Sequence, residues 1–473
     1  PTLPANLSQR TEIINWCARA NEERIIQRFP AYHRLIQITE DLKDSPELIE
    51  YLNDQYILDL LVWYHLGWLA EHVRRSDIRI KRLLKKEHNF TYHDRLKLLT
   101  VISELLTSII PRYRALAESK QIELSTTPYA HPIIPLLIDF DTTLEAMPHA
   151  PMPEHKSYPG GVKRAKWHIK KSIKIFKKHF GFEPIGCWPS EGAISKTTCE
   201  LLQQYGFKWI ASGAGVFWNS VKSIDSTSQL SQNLLEHMPN QLPHQEIVCY
   251  FRDDRLSDLI GFEYSSWHAD DAVANLIHNL KEIANQESNN HEIVASIILD
   301  GENAWEHYPE NGYYFLNALY AQLAEHPDLE LTTYSNNLAN NDIKIQQLPN
   351  LVAGSWVCGT LSTWIGSKDK NRGWDMLCDA KQCYDEVINA GNLSKEEIKQ
   401  AMYQLSICEG SDWFWWFGDY NSAETVSDFE KLFRQNLSNL YKLLHTTPPD
   451  YLSTTFTFGK GSPTGGGSMR KSG

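Results

Sequence analysis

Two carboxylates stand where α/β proteins usually place their chemistry. Asp300 sits in Ile297-Ile298-Leu299-Asp300-Gly301-Glu302-Asn303-Ala304-Trp305-Glu306-His307-Tyr308, and Glu191 in Gly186-Cys187-Trp188-Pro189-Ser190-Glu191-Gly192. Each follows a short apolar stretch with glycine nearby, the pattern of a buried strand running into a turn. Strands of such sheets deliver polar side chains to their carboxyl edge, where reactions take place. Two carboxyls facing each other suit the cleavage of a glycosidic bond with retention. One attacks the anomeric carbon, and the other passes a proton to and from the departing oxygen. Read from residue types alone, ordinary solvated loop acids remain the alternative.

The elements that must hold these acids follow from periodicity. Residues 7 to about 120 read as helical. Asn53 to Trp68 has apolar residues at helical spacing, and Lys97 to Leu116 forms a second amphipathic helix that Pro111 should bend. From 120 to 340 strands and helices alternate. Strands are expected at 123–128, around Gly186, at 207–212, 247–251 and 293–299, with helices at 160–180, 195–205, 270–286 and 311–325. The lysine-rich helix at 160–180 reads as a solvated helix back. From about 350 the pattern turns helical, at 369–391, 394–408 and 423–445, and 451–473 reads as a flexible tail.

Composition narrows the class. The 473 residues carry 46 Lys and Arg against 58 Asp and Glu, a net charge of −12. That balance argues against a nucleic-acid partner and against an anionic membrane, and favours a neutral or cationic ligand. Fifteen Trp and 21 Tyr are many for this length; such a surplus supplies stacking surfaces for sugars as well as core. Eight cysteines contain no CxxC pair, which fits reduced, buried thiols in a cytoplasmic protein and speaks against a zinc site. No apolar run of membrane length is present.

Several segments together resemble glycoside hydrolase family 57, and within it the amylopullulanase-like branch. They are Tyr129-Ala130-His131-Pro132-Ile133-Ile134-Pro135, Gly186-Cys187-Trp188-Pro189-Ser190-Glu191, Phe251-Arg252-Asp253 with Leu256 to Phe262, and Leu299 to Glu306. Gly354-Ser355-Trp356 with Trp364-Ile365-Gly366, and Glu409-Gly410-Ser411-Asp412-Trp413, extend the match. The resemblance implies an incomplete (β/α)7 barrel over 1–345, with a helical insertion at about 7–120, and a C-terminal helical domain over 346–450. It implies a retaining, cofactor-free and metal-free enzyme acting on an α-glucan or maltooligosaccharide. Glu191 matches the family nucleophile and Asp300 the general acid/base. His131, Trp188, Arg252, Asp253, Trp267, Glu302, Trp305, Trp356 and Asp412 fall in or beside motifs that line the sugar site. The family opens with a His-Gln-Pro strand that these residues do not contain, so a first barrel strand is expected ahead of residue 1.

The choice between α-1,4 and α-1,6 bonds, and between water and a sugar as acceptor, stays open, as does the oligomeric state. Three alternatives stand beside hydrolysis: a glucanotransferase or branching enzyme on the same site, a non-catalytic glucan-binding protein, and a metal-dependent deacetylase-like enzyme. The last would use His268-Ala269-Asp270-Asp271, which lacks a paired HxxxH.

Overall fold

The computed structural model describes residues 3–41, 46–224, 235–242, 244–287, 293–301, 304–340, 343–418 and 420–460. The chain forms two compact units. One comprises Pro1–Arg112, Leu259–His278 and Leu299–Leu331, and the other Tyr113–Asp258, Asn279–Ile298 and Thr332–Gly473.

The first unit is helical. Helix Asp54–Trp68 starts where the Asn53 side chain accepts a hydrogen bond from the Tyr56 amide at 2.9 Å, satisfying one of the first-turn donors. Its Ile57, Leu60, Trp63 and Leu66 are buried, and these share one core with Ile14, Tyr32, Ile80, Phe90, Leu98 and Val101. Each such side chain contributes about 1.5–3 kcal/mol of burial. The expected helix at 97–116 is longer than its periodicity suggested, Tyr92–Glu118, and continues through Pro111. Farther along, Trp305, Tyr308 and Phe315 pack ring against ring, with centroids 5.4 Å apart for the first two and 5.2 Å for Tyr308 and Phe315.

The second unit is built on a five-stranded sheet of order β1-β2-β4-β3-β5. The strands are β1 (Gly186–Cys187), β2 (Trp209–Gly213), β3 (Asn240–Gln241), β4 (Val248–Arg252) and β5 (Gln346–Gln347). β1, β2 and β4 run parallel, with Gly186 opposite Trp209 and Gly213 opposite Arg252. Helix Lys196–Gln204 follows β1, as expected for 195–205, and helix Ala214–Lys222, which is not among the expected helices, follows β2. β3 departs from an all-parallel sheet: it is antiparallel to β4 and parallel to β5.

Two expected strands shrink to single bridges. Thr126 pairs with Cys187, and Ser296 pairs with Arg252. Pro128 ends the first because it has no N–H to donate. Around Ser296 the backbone finds other partners: the Val294 amide donates to His237 O at 2.7 Å, and the Ile298 amide to Ser257 Oγ at 3.2 Å. Helices Lys368–Ala390, Lys395–Cys408 and Ala423–Leu443 complete the second unit, with Trp364, Trp374, Phe414 and Phe433 in their shared core. Ser394 and Glu397 form a reciprocal capping box at the start of the second of these helices. All eight cysteines are free thiols; six are buried, Cys383 is half-buried and Cys358 is exposed, contrary to a uniformly buried set. Among the described residues no helix is long and apolar enough to cross a membrane.

Candidate active site

Glu191 lies in the turn that follows β1. Its backbone is left-handed, with φ 58° and ψ 25°, a conformation that costs a non-glycine residue about 1–2 kcal/mol. Neighbouring contacts hold it there. The Ser212 hydroxyl donates to Gly192 O at 2.6 Å. Ile194 and Gly354 exchange both backbone hydrogen bonds, at 2.9 and 3.1 Å, and the Trp356 amide donates to Glu191 O at 3.1 Å. Segment 354–356 is thereby laced antiparallel to 191–194. The result is a hydrogen bond from Trp356 Nε1 to Glu191 Oε2 at 3.0 Å.

Glycine makes this approach possible. A Cβ on Gly213, at the end of β2, would lie 2.5 Å from Trp356 Cα, and one on Gly192 would lie 2.9 Å from the Trp188 ring. Trp188 meets Trp356 edge to face, with centroids 5.4 Å apart at 80°. The Arg252 guanidinium sits 5.3 Å from the Trp356 ring centroid, within cation–π range.

His131 approaches from a different loop. Ala130 and His131 both have positive φ, 59° and 56°. Ser411 grips the histidine twice: its amide donates to His131 O at 3.0 Å, and its hydroxyl lies 2.7 Å from Nδ1. That places Nδ1 4.0 Å from Glu191 Oε1. The loop is anchored behind by His168, whose ring nitrogens face Tyr129 O and Glu409 Oε2. Glu409 is fully buried and also takes Arg164 through two nitrogens and the Tyr158 hydroxyl at 2.6 Å. Burial raises its pKa, but Arg164 and His168 outweigh burial and bring it down to about 2.

A second group of charges surrounds Arg252. Its guanidinium pairs with Asp254 at 2.6 Å and Asp258 at 2.8 Å, and its Nε donates to Ile298 O at 2.9 Å. Asp253 is engaged by His237 Nε2 at 2.9 Å and by the Leu256 amide at 2.7 Å. Burial pulls the Asp253 pKa up, but these two donors hold it below the ordinary value. Burial raises Asp254 despite Arg252. It also lifts Glu236 to about 7, against the pull of His237 and the Trp218 N–H.

The structure thus brings together Glu191, Trp188, Trp356, Arg252 and His131, with Asp253 beside Arg252. Asp412 is exposed at the start of the short helix Asp412–Trp416, next to Ser411. Asp300, Trp267 and Trp305 belong to the other compact unit. Asp300 is half-buried. Trp267 is 43% exposed and lines a cavity of about 370 Å³ with Tyr264, His268, Asp270, Tyr308 and Tyr314. Trp305 packs on Tyr308 and Phe315. Glu302 lies outside the described residues. Among the described residues no three His, Cys, Asp or Glu side chains cluster as metal ligands, and His268 and Asp270 are both exposed. Ser411 and His168 were missed from sequence. Ser411 stood inside a quoted motif, yet no spacing tied it to a histidine 280 positions away.

Among solved structures the chain resembles TK1436, a GH57 branching enzyme from Thermococcus kodakaraensis, at a TM-score of 0.58 and 14% identity, covering 97% of this chain and 89% of that one. It resembles the α-amylase AmyC from Thermotoga maritima at 0.56 and 15%, covering 96% and 93%. It resembles a GH57-type branching enzyme from Pyrococcus horikoshii at 0.54 and 16%, again covering 96% and 93%. A search of curated proteins finds no match. The family model of glycosyl hydrolase family 57 matches residues 14–349, well over half of the chain. With that match, the chain belongs to glycosyl hydrolase family 57.

Proposed function

We propose that this protein cleaves α-glucosidic bonds with retention, using Glu191 as nucleophile and Asp300 as general acid/base. The observation that carries this reading is the setting of Glu191. Its carboxylate is fixed by the Trp356 N–H at 3.0 Å and keeps 18% of its side chain exposed, and Trp356 in turn meets Trp188 edge to face. Membership of the family supports an α-glucan as substrate.

In the first step a Glu191 oxygen bonds to the anomeric carbon as the glycosidic C–O bond breaks, and Asp300 gives its proton to the departing oxygen. In the second, a hydroxyl attacks the same carbon, Asp300 takes its proton, and the ester to Glu191 breaks. Two inversions return the original configuration. The pair should stand about 5–5.5 Å apart in the competent enzyme. Asp300 must hold its proton at rest, which a neighbouring carboxylate favours. The Trp188 and Trp356 rings, and in the other unit Trp267 and Trp305, would stack on glucose, with His131 and Arg252 orienting its hydroxyls. Asp253, Glu302 and Asp412 complete the proposed lining. The proposed architecture is an incomplete (β/α)7 barrel over 1–345 with a helical insertion at about 7–120, then a helical domain over 346–450, in the amylopullulanase-like branch.

Transfer to a sugar hydroxyl is the second reading, because two of the similar structures are branching enzymes by name. Product analysis on maltooligosaccharides and pullulan separates the readings. Shorter products of retained α-configuration, absent with Glu191→Gln and Asp300→Asn, support hydrolysis and name the linkage. Longer or newly branched chains support transfer. Activity that survives both substitutions overturns the assignment of the pair.

A further inference from the structure

Helix Tyr92–Glu118 has 27 residues, and its apolar side chains spread over two adjoining faces. One face is closed: Leu98 and Val101 are buried, and Ile102 and Leu105 pack against the same core. The other is open. Tyr92, Leu99, Leu106 and Tyr113 recur at every seventh position and are 53, 46, 63 and 49% exposed. A second row with the same spacing is Leu96, Ser103, Ile110 and Ala117, of which Leu96 and Ile110 are 39 and 37% exposed. Rows offset by three and four residues are the a and d positions of a heptad repeat. Ile109, 43% exposed, widens the seam on one side. A surface helix ordinarily carries a single apolar stripe, turned to its own core. A contiguous exposed one marks an interaction surface.

We propose that this seam pairs with the same helix of a second copy of the chain, antiparallel, about a two-fold axis at the level of Glu104 and Leu105. Side-chain size favours that occupant and that direction. The antiparallel alignment sets Ala117 opposite Tyr92, Ser103 opposite Leu106, Ile110 opposite Leu99 and Leu96 opposite Tyr113, so both small residues meet large ones. A parallel pair in register would instead stack each tyrosine on its twin and trap two Ser103 hydroxyls in an apolar seam.

Charge agrees. No carboxylate lies in either row or in the rows that flank them, which are His93, Thr100, Thr107 and Arg114 on one side and Arg95, Ile102, Ile109 and Leu116 on the other. The antiparallel alignment keeps Ile109 clear of Arg114, whereas a parallel pair in register brings the two together. Area agrees too. Seven such side chains, about half exposed, offer on the order of 600 Å² per copy, near the roughly 800 Å² per partner of a stable interface.

Analytical ultracentrifugation of the full chain tests the pairing. A dimer is expected, and Leu99→Lys with Leu106→Lys should abolish it and leave a folded monomer with unchanged circular dichroism, because both leucines are about half exposed; the melting temperature should fall only by the stabilisation that pairing itself supplies. Direction is tested by disulfides in a Cys358→Ser background, which removes the exposed thiol. Chains carrying Leu99→Cys should cross-link to chains carrying Ile110→Cys, and neither should link to itself. In the antiparallel pair, self-pairing would need Cα atoms on the order of 16 Å apart to join, far beyond disulfide reach. A monomer at the highest concentration reached overturns the proposal, as does a dimer untouched by the lysine pair. A disulfide formed by Leu99→Cys alone overturns the antiparallel direction.

Discussion

Glu409 and Glu191 are both glutamates of the second compact unit, and they are held in opposite ways. Glu409 has no exposed side-chain surface and is bound by an arginine, a histidine and a tyrosine hydroxyl. Glu191 is partly exposed, and the indole N–H that fixes it is neutral. Burying a carboxylate is tolerable when cations surround it, and removing it then strands those cations. A partly exposed carboxylate oriented by an indole N–H keeps its charge accessible to a ligand. The two are also linked in series. Glu409 fixes His168, His168 fixes the Tyr129 carbonyl, and that loop carries His131 to within 4.0 Å of Glu191. One acid frames the site that the other occupies.

The contrast is sharpest when both acids are neutralised. Glu191→Gln should cut turnover by roughly four orders of magnitude, a loss of the size seen for central catalytic groups, and leave thermal melting unchanged. Glu409→Gln should instead lower stability by about 3–5 kcal/mol, because Arg164 and His168 lose their buried counter-charge. Calorimetry beside an activity assay decides, and a swapped outcome would break the distinction. Acid reports on the same network. The Glu409 pKa is depressed in the fold, so its stabilisation is present above the ordinary value of 4.5 and is lost as pH falls toward about 2. Denaturation midpoints of the wild type should fall through that window more steeply than those of Glu409→Gln.

Trp356→Phe keeps an aromatic ring beside Trp188 but deletes the N–H on Glu191 Oε2. A hydrogen bond to a charged group contributes about 1.5–3 kcal/mol, so kcat should drop by roughly ten- to a hundredfold with little change in melting. Unchanged kcat would remove Trp356 from the positioning of Glu191. Ser411→Ala should have the smallest effect. It deletes one hydroxyl hydrogen bond to His131, on the order of 1 kcal/mol and a severalfold loss in kcat. A stability loss without a kinetic one would make Ser411 part of the Glu409 frame.

What could be read in the sequence followed from local signals. The βα alternation from Gly186 to Arg252 was legible because apolar strands and glycine turns mark it, and the three long C-terminal helices because their spacing is regular. β3 and β5 were not. Each is a two-residue strand, Asn240–Gln241 and Gln346–Gln347, of polar residues that carry no strand preference. The helix Ala214–Lys222 was not anticipated, since Val216, Phe217 and Trp218 are of types that favour strands. Glu191 and Trp356 were each singled out, but their hydrogen bond spans 165 positions and depends on the missing Cβ of Gly213. Close approach of that kind leaves no local trace.

The left-handed backbone at Glu191 has an evolutionary consequence. Glycine takes that conformation without strain, and asparagine takes it more readily than glutamate. The fold would therefore relax if the carboxylate were given up. A descendant that had abandoned the chemistry could drift to either residue and become sturdier for it, whereas a lineage still working through this carboxylate is held at a slightly less comfortable chain.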